Sequence, residues 1–271
     1  FSSMDGFSRY LAENNNVFTL VTMRYWFIAL VILISCFFIK NPISEILKTN
    51  QPYIQFSRGV ILSLNNCLVV YTFTLLGLVE THAIIACYPL IVAGLSVPFL
   101  REKFGWRRWL AIFTGFIGVI VILRPTTNVI SEGSVFAIIG AIMFAVYLIL
   151  TRYVSKSDTA VSSFFWTGIG GAVTMSIISL FIWDNILRED YLWLFIMCLL
   201  SATSHFMMVK TLQVAEASVV QPFSYLQLVF GSIIGVTIFS ESIDLMIIIG
   251  SLIVIGSGLF TTWREYRLKD K

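Results

Sequence analysis

The feature that most constrains this chain is a pair of apolar runs near the C-terminus, Ser218–Phe239 and Leu245–Thr262. A short polar hinge with Glu241 and Asp244 separates them. Each run is close to the ~20 residues that a helix needs to cross hydrocarbon. The first carries Pro222, Gly231 and Gly235, with amides and hydroxyls at Gln221, Ser224, Tyr225 and Gln227. A helix that only had to sit in lipid has no use for those groups. Unpaired polar atoms are costly in hydrocarbon, so they are expected to face a cavity or another helix.

An earlier stretch has the same organisation. Glu80 opens an apolar run with Tyr88, Pro89 and Pro98, which ends at Arg101-Glu102-Lys103 and continues as Trp109–Leu123. Laying Glu80 on Glu216 puts Tyr88 on Ser224 and leaves the two early prolines about one helical turn apart. The chain therefore reads as a duplicated unit. Proline-interrupted spans in matching positions of two halves are the sequence pointer to a transporter's binding site.

Composition excludes a soluble domain: 58% of residues are hydrophobic, 12% are charged and the mean hydropathy is +0.88. Ten spans are expected: Phe1–Leu11, Phe18–Phe38, Arg58–Leu78, Thr81–Leu100, Trp109–Leu123, Gly133–Val154, Ser162–Trp183, Tyr191–Leu212, Ser218–Phe239 and Leu245–Thr262. The first is too short to cross and reads as the later part of a helix; no basic segment or cleavage site suggests a signal peptide. The fold expected is an all-α membrane protein of two inverted five-helix repeats, residues 1–123 and 133–271, breaking near Arg124–Gly133. Spans three and four, like eight and nine, are expected to be antiparallel hairpins.

Placing the N-terminus in the cytoplasm leaves only Arg124 and Arg188 outside and Arg9 and Arg24 within spans, so the other 14 of the 18 Lys and Arg lie on the inner side. That bias sets both termini in the cytoplasm. It also explains the net charge of +3 without nucleic acid. Cys36, Cys67, Cys87 and Cys198 all fall in apolar runs and read as buried thiols, not as a disulfide or metal set.

Tyr88-Pro-Leu-Ile-Val92, Leu100-Arg-Glu-Lys-Phe-Gly-Trp-Arg-Arg-Trp109, Gly115-Phe-Ile-Gly118 with Arg124-Pro125, and Ala217-Ser-Val-Val-Gln-Pro-Phe-Ser-Tyr225 resemble the drug/metabolite transporter superfamily, EamA family. The pattern is most similar to its S-adenosylmethionine-uptake-like members. His205, ahead of Ala215-Glu-Ala-Ser218, also fits. Arg101 and Ser240 stand where the family usually has glycine before its hinge glutamate. The resemblance covers almost the whole chain. It implies a carrier of small polar metabolites in a bacterial inner membrane, with a central cavity open to one side at a time. Its partners would be a small-molecule substrate and membrane lipids, its state a monomer or homodimer, with no cofactor and no metal.

Three groups of residues are candidates for chemistry. Asp5 and Arg9 lie four apart on one face of span one, and Arg24 enters span two at a comparable depth. They read either as an ion pair of Asp5 with Arg9 or Arg24, or as a gate. His205, deep in span eight, suits a proton-coupling group with its ordinary pKa of about 6.5, or a neutral imidazole bonded to Thr203, Ser204 or a neighbouring helix. His82 reads as a wetted residue at the outer end of span four.

The substrate site is expected near the bilayer midplane between spans three, four, eight and nine. Asn65 and Asn66 supply amides, and Tyr88, Tyr147, Trp166 and Tyr225 aromatic walls. His205 supplies a titratable ring, and Gln221 and Gln227 further amides. Metalloprotease, serine-hydrolase and phosphate-loop motifs are absent. An intramembrane enzyme acting on a lipid or small molecule is the alternative. A channel would need a continuous polar stripe, which these scattered groups do not supply.

Overall fold

The computed structural model describes residues 1–38, 46–100, 106–123, 131–215 and 217–269. The hinge around Arg101 and Glu102, residue Glu216 and the inter-repeat break beginning at Arg124 lie outside them. Ten α-helices run through the described residues: α1 (Ser2–Ala12), α2 (Val17–Phe38), α3 (Pro52–Ile85), α4 (Tyr88–Leu100), α5 (Trp106–Leu123), α6 (Glu132–Val154), α7 (Ala160–Ile182), α8 (Tyr191–Val214), α9 (Ala217–Phe239) and α10 (Leu245–Lys269). Five of these, α2, α3, α6, α7 and α8, are long and apolar enough to cross a membrane by length and composition. Leu180, Phe181, Leu192, Ile238 and Leu252 point outward and are 62–82% exposed. An apolar exterior of that kind is solvated by lipid.

α3 is not one straight helix. It starts at Pro52, six residues before the expected Arg58, with proline at the first position, where its missing N–H costs nothing. It breaks at Gly77, whose φ of 80° and ψ of 179° suit only glycine. Beyond the break the chain doubles back. Thr81 Oγ1 lies 3.4 Å from the Thr72 carbonyl and the Phe73 and His82 rings are 5.5 Å apart, whereas nine residues of continuous helix would span about 13 Å. The expected hairpin between spans three and four therefore turns at Gly77.

The returning arm, from Leu78, continues into α4 through a weak turn at Ala86 and Cys87. There Cys87 N–H reaches only to Ile84 O, at 3.2 Å. Pro89 explains the weakness: it has no N–H for the Ile85 carbonyl.

Helix neighbours repeat with a shift of five. α3 packs on α6 and α7 as α8 packs on α1 and α2; α4 on α6 as α9 on α1; and α2–α7, α4–α9 and α5–α10 are self-matched. That is the pattern of two five-helix repeats, α1–α5 and α6–α10, and an odd number of spans in each inverts the second relative to the first. Glycines set the closest approaches. A Cβ on Gly118 would lie 2.8 Å from Gly250 O, and one on Gly59 2.7–2.9 Å from the backbone of α7. Where lipid gives no hydrophobic drive between helices, such close packing holds them together.

Candidate substrate site

α1, both arms of α3, and α4, α6, α8 and α9 converge on a cavity of about 60 Å³. Asn65 and Asn66 face it from the first arm of α3, and His82 from the second. Tyr88 flanks the weak turn before α4, Phe144 comes from α6 and His205 from α8. Ser224 and Gln227 come from α9, and Met4 and Asp5 from α1. The room suffices for a few waters, each needing at least about 10–15 Å³ by the same measure. It is well below the ~300–1,000 Å³ of a metabolite pocket. A wider, mostly apolar groove of about 640 Å³ between α8 and α9 shares Tyr88, Ser224 and Gln227 with it.

The lining is polar but incompletely paired. Gln227 Nε2 donates to Asp5 Oδ2 at 2.8 Å, and Asn66 Nδ2 donates to the Tyr25 hydroxyl at 3.0 Å. His205 Nδ1 lies 3.2 Å from the Ser201 carbonyl of its own helix. Asn65 Oδ1, His82 Nε2 and His205 Nε2 are buried and, among the described residues, have no hydrogen-bond partner. Three orphaned polar atoms around one cavity call for an explanation. Glycine supplies the space: a Cβ on Gly231 would lie 2.4 Å from His82 Cδ2. The Tyr88 and Phe144 rings meet edge to face at 4.9 Å.

Both ends of the first arm of α3 are latched. At the Gly77 end, Glu241 pairs with Arg9 at 2.9 Å and accepts the Leu78 and Val79 N–H groups at 2.9 and 2.8 Å. Arg9 also donates to Phe73 O at 2.8 Å and lies over the Phe239 ring. Glu241 N–H closes α9 by reaching back to Gly235 O at 3.1 Å, which puts Ser240 at φ 55°. At the other end, Gln55 donates to Asp158 at 2.8 Å and accepts from Arg58, whose Nε donates to Thr151 at 3.0 Å. Asp158, in the loop between α6 and α7, also accepts from Thr49 and from Asn50 N–H. Burial pushes its carboxyl up, but these hydrogen bonds outweigh burial and hold it below the ordinary carboxylate value.

Several expectations are corrected by this geometry. Asp5 pairs with neither Arg9 nor Arg24: its partners are Gln227 and His82, while Arg24 donates to Ser8 at 2.7 Å. His82 is 4% exposed and not wet, because the turn at Gly77 starts the returning arm earlier and carries His82 a turn deeper. Tyr225 faces α10, where Gly258 makes room for its ring. Tyr147 stacks behind Phe144 at 6.0 Å, under the Arg58 guanidinium, and is not in the cavity lining. Trp166 donates to Leu47 O, away from the cavity. The side chains of Gln221 and Pro222 lie outside the described residues. Of the expected site residues, Asn65, Asn66, Tyr88, His205 and Gln227 meet at one place.

Sequence reasoning missed Gly140, Phe144 and Val69 in the wall, and gave Ser224 only as a polar group facing a cavity or another helix. Those three carry no polar group that would mark them in an apolar span. Cys67, Cys87 and Cys198 are buried and free. Among the described residues no cluster of His, Cys, Asp and Glu is placed to hold a metal ion.

This arrangement, ten helices in two repeats around a polar cavity, is that of a multi-pass membrane transporter. The model of the EamA-like transporter family matches residues 1–124 and 131–263, so the chain belongs to that family. An S-adenosylmethionine uptake transporter of Rickettsia felis is 28% identical over 271 residues, covering 100% of this chain and 91% of the relative. A riboflavin transporter of Brucella anthropi is 21% identical, covering 89% and 87%. A solved crystal structure matches with a TM-score of 0.69 at 12% identity, covering 98% of this chain and 96% of the other. The relatives are transporters of small metabolites, not enzymes.

Proposed function

We propose that this chain is a secondary active carrier. It moves a small polar metabolite across a bacterial inner membrane by alternating access, with both termini in the cytoplasm. The observation that carries this is the convergence of Asn65, His82 and His205 on one cavity between two latched ends of α3. The three polar atoms left unpaired there are partners for a solute, and the small volume is that of an occluded state. Under the proposed orientation the Arg9–Glu241 latch is outside and the Gln55–Asp158 latch inside. A solute enters when one latch opens and leaves when the other does.

S-adenosylmethionine is the first solute to test, because the amides, imidazoles and aromatic rings match its amino-acid group and purine. Uptake into vesicles reconstituted with the protein should be saturable and leave the solute chemically unchanged. Asn66→Ala should weaken binding by about 1–3 kcal/mol, the cost of an unmatched buried partner. A binding panel of amino acids, nucleosides, polyamines and flavins ranks the alternatives through ligand-induced stabilisation. Protein-dependent chemical modification of a solute, or no accumulation of any member of the panel, would overturn the proposal.

A further inference from the structure

We infer that Asp5 and His82 form a cation-exchange site in the cavity wall. The carboxylate holds either a proton shared with His82 or the positively charged group of the solute, never both. This rests on the transport function proposed above and adds the charge class of the substrate and the particle exchanged for it.

The geometry isolates one carboxylate. Asp5 is 5% exposed and is the only acidic side chain lining the cavity among the described residues; no Lys or Arg side chain lines it. Its Oδ2 takes the Gln227 amide at 2.8 Å and lies 3.6 Å from His82 Nε2. That second distance is too long for a hydrogen bond and short enough for one to form with a small movement. Among the described residues His82 Nε2 has no other partner.

The charged and titratable groups facing the pair are otherwise engaged. Arg24, from α2, donates to Ser8 and to Met197 Sδ. Arg9, on α1 itself, is held by Glu241 and Phe73 O. Glu241, beyond α9 on the His82 side, is occupied by Arg9 and two backbone N–H groups. His205, from α8, is tied to Ser201 O and, among the described residues, has no carboxylate within ion-pair distance. The Phe1 amino group, in the same cavity wall, lies 3.4 Å from Ser204 Oγ, and among the described residues none of these cations pairs directly with Asp5.

Charge balance then sets the exchange. An ionised carboxylate beside a neutral imidazole in a cavity this dry is costly. One proton on the pair removes that cost whether it sits on Asp5 or on His82. An ammonium or sulfonium group against Asp5 removes it equally well, and the Tyr88 and Phe144 rings stand in the same cavity wall. Proton and cation together would leave a net positive charge, so entry of one expels the other. One proton leaves the pair for each solute that seats a cationic group against Asp5, and the reverse occurs on release.

α9 links this exchange to movement. It carries both the Asp5 partner, Gln227, and Gly231, which makes the seat for the His82 ring. Displacing α9 alters both contacts of the carboxylate at once.

The test uses the full chain in lipid nanodiscs, with Asp5→Asn and His82→Gln as isosteric variants. S-adenosylmethionine binding and proton release are measured together in weak buffer from about pH 5 to about pH 9, which brackets the ordinary imidazole range. The wild type should release close to one proton per cation bound. Its apparent affinity should rise by up to about tenfold per pH unit while the pair is protonated. Asp5→Asn should release none and lose the pH dependence; His82→Gln should shift the window. Affinity independent of pH, or equal proton release by Asp5→Asn, overturns the inference.

Binding of neutral flavin but no cation would also overturn it, while leaving the carrier function standing. If no solute binds or is transported, the carrier function fails and infrared spectroscopy decides the exchange site separately. A carboxylic-acid band that titrates in the wild type, shifts in His82→Gln and is missing in Asp5→Asn supports it. A carboxylate ionised throughout the range overturns it.

Discussion

Replacing Glu241 with glutamine isolates the latch at the Gly77 end. The carboxylate holds Arg9 at 2.9 Å and the N–H groups of Leu78 and Val79 at 2.9 and 2.8 Å. Glutamine keeps the shape and one acceptor oxygen but removes the charge and turns an amide N–H₂ toward one of those donors. A hydrogen bond to a charged group is worth about 1.5–3 kcal/mol net, and breaking a fully buried pair costs about 3–5 kcal/mol. The Arg9 and Glu241 side chains remain 18% and 13% exposed. Water screens them somewhat, so the expected loss is about 2–4 kcal/mol.

The latch joins α1, α3 and α9, which separate when this end opens in the proposed alternating-access cycle, so the loss falls on the closed state relative to the open one. The open fraction should therefore rise roughly 30- to 700-fold. The assay is the labelling rate of Val79→Cys by a membrane-impermeant maleimide, in a background with Cys36, Cys67, Cys87 and Cys198 replaced by alanine. Val79 is 2% exposed in the closed state. Arg9→Gln should accelerate labelling similarly, and the double variant should add little, as expected for two residues of one interaction. An unchanged labelling rate with a lowered melting temperature would refute the reasoning and make the latch a staple of the fold.

Ser240→Gly should stabilise the protein by about 0.5–1 kcal/mol, because the left-handed φ of 55° that ends α9 strains serine and suits glycine; thermal melts check it. Gly118→Ala should cost about 1–3 kcal/mol by pushing α5 off α10, since its Cβ would meet the Gly250 carbonyl at 2.8 Å and the β-branched Ile253 side chain at 3.0 Å. The lowered Asp158 carboxyl gives a signed pH effect. Its contribution is fully present above the ordinary carboxylate value of about 3.9 and is lost as pH falls through the lower folded value. Melts across that acidic window should show a decline that Asp158→Asn lacks. For the orientation, cysteine probes at Glu132 and Asp244 should react from outside intact cells and one at Lys156 should not.

The helix inventory was legible because apolar runs and their polar breaks are set by bilayer thickness. The convergence of Asn65, Asn66, Tyr88, His205 and Gln227 was legible because polar groups in apolar spans have few places to go. Rotation about a helix axis was not. With lipid on one side and apolar protein on the other, hydrophobicity does not distinguish the faces of α9. The aromatic ring of Tyr225 looked as suited to the cavity as the amide of Gln227, two residues away. His82 was misplaced for a different reason. Its depth depends on whether the chain turns at Gly77 or three residues later, and only the backbone angles at Gly77 decide that. The Arg9–Glu241 pairing joins residues 232 positions apart in different repeats, which no local pattern encodes.

The first arm of α3 is one uninterrupted rod. It carries Gln55 and Arg58 of one latch near its start, Asn65 and Asn66 of the cavity at its middle, and the Gly77 turn of the other latch at its end. Gln55 and Gly77 are about 33 Å apart at 1.5 Å per residue. In the proposed alternating-access cycle such a rod would act as a seesaw whose fulcrum is the cavity: a tilt of about 10° about the middle carries each tip about 3 Å, in opposite directions. Lifting one end presses the other down. In that cycle no signal would have to pass between the two ends, and a leak through both at once would require the beam to bend.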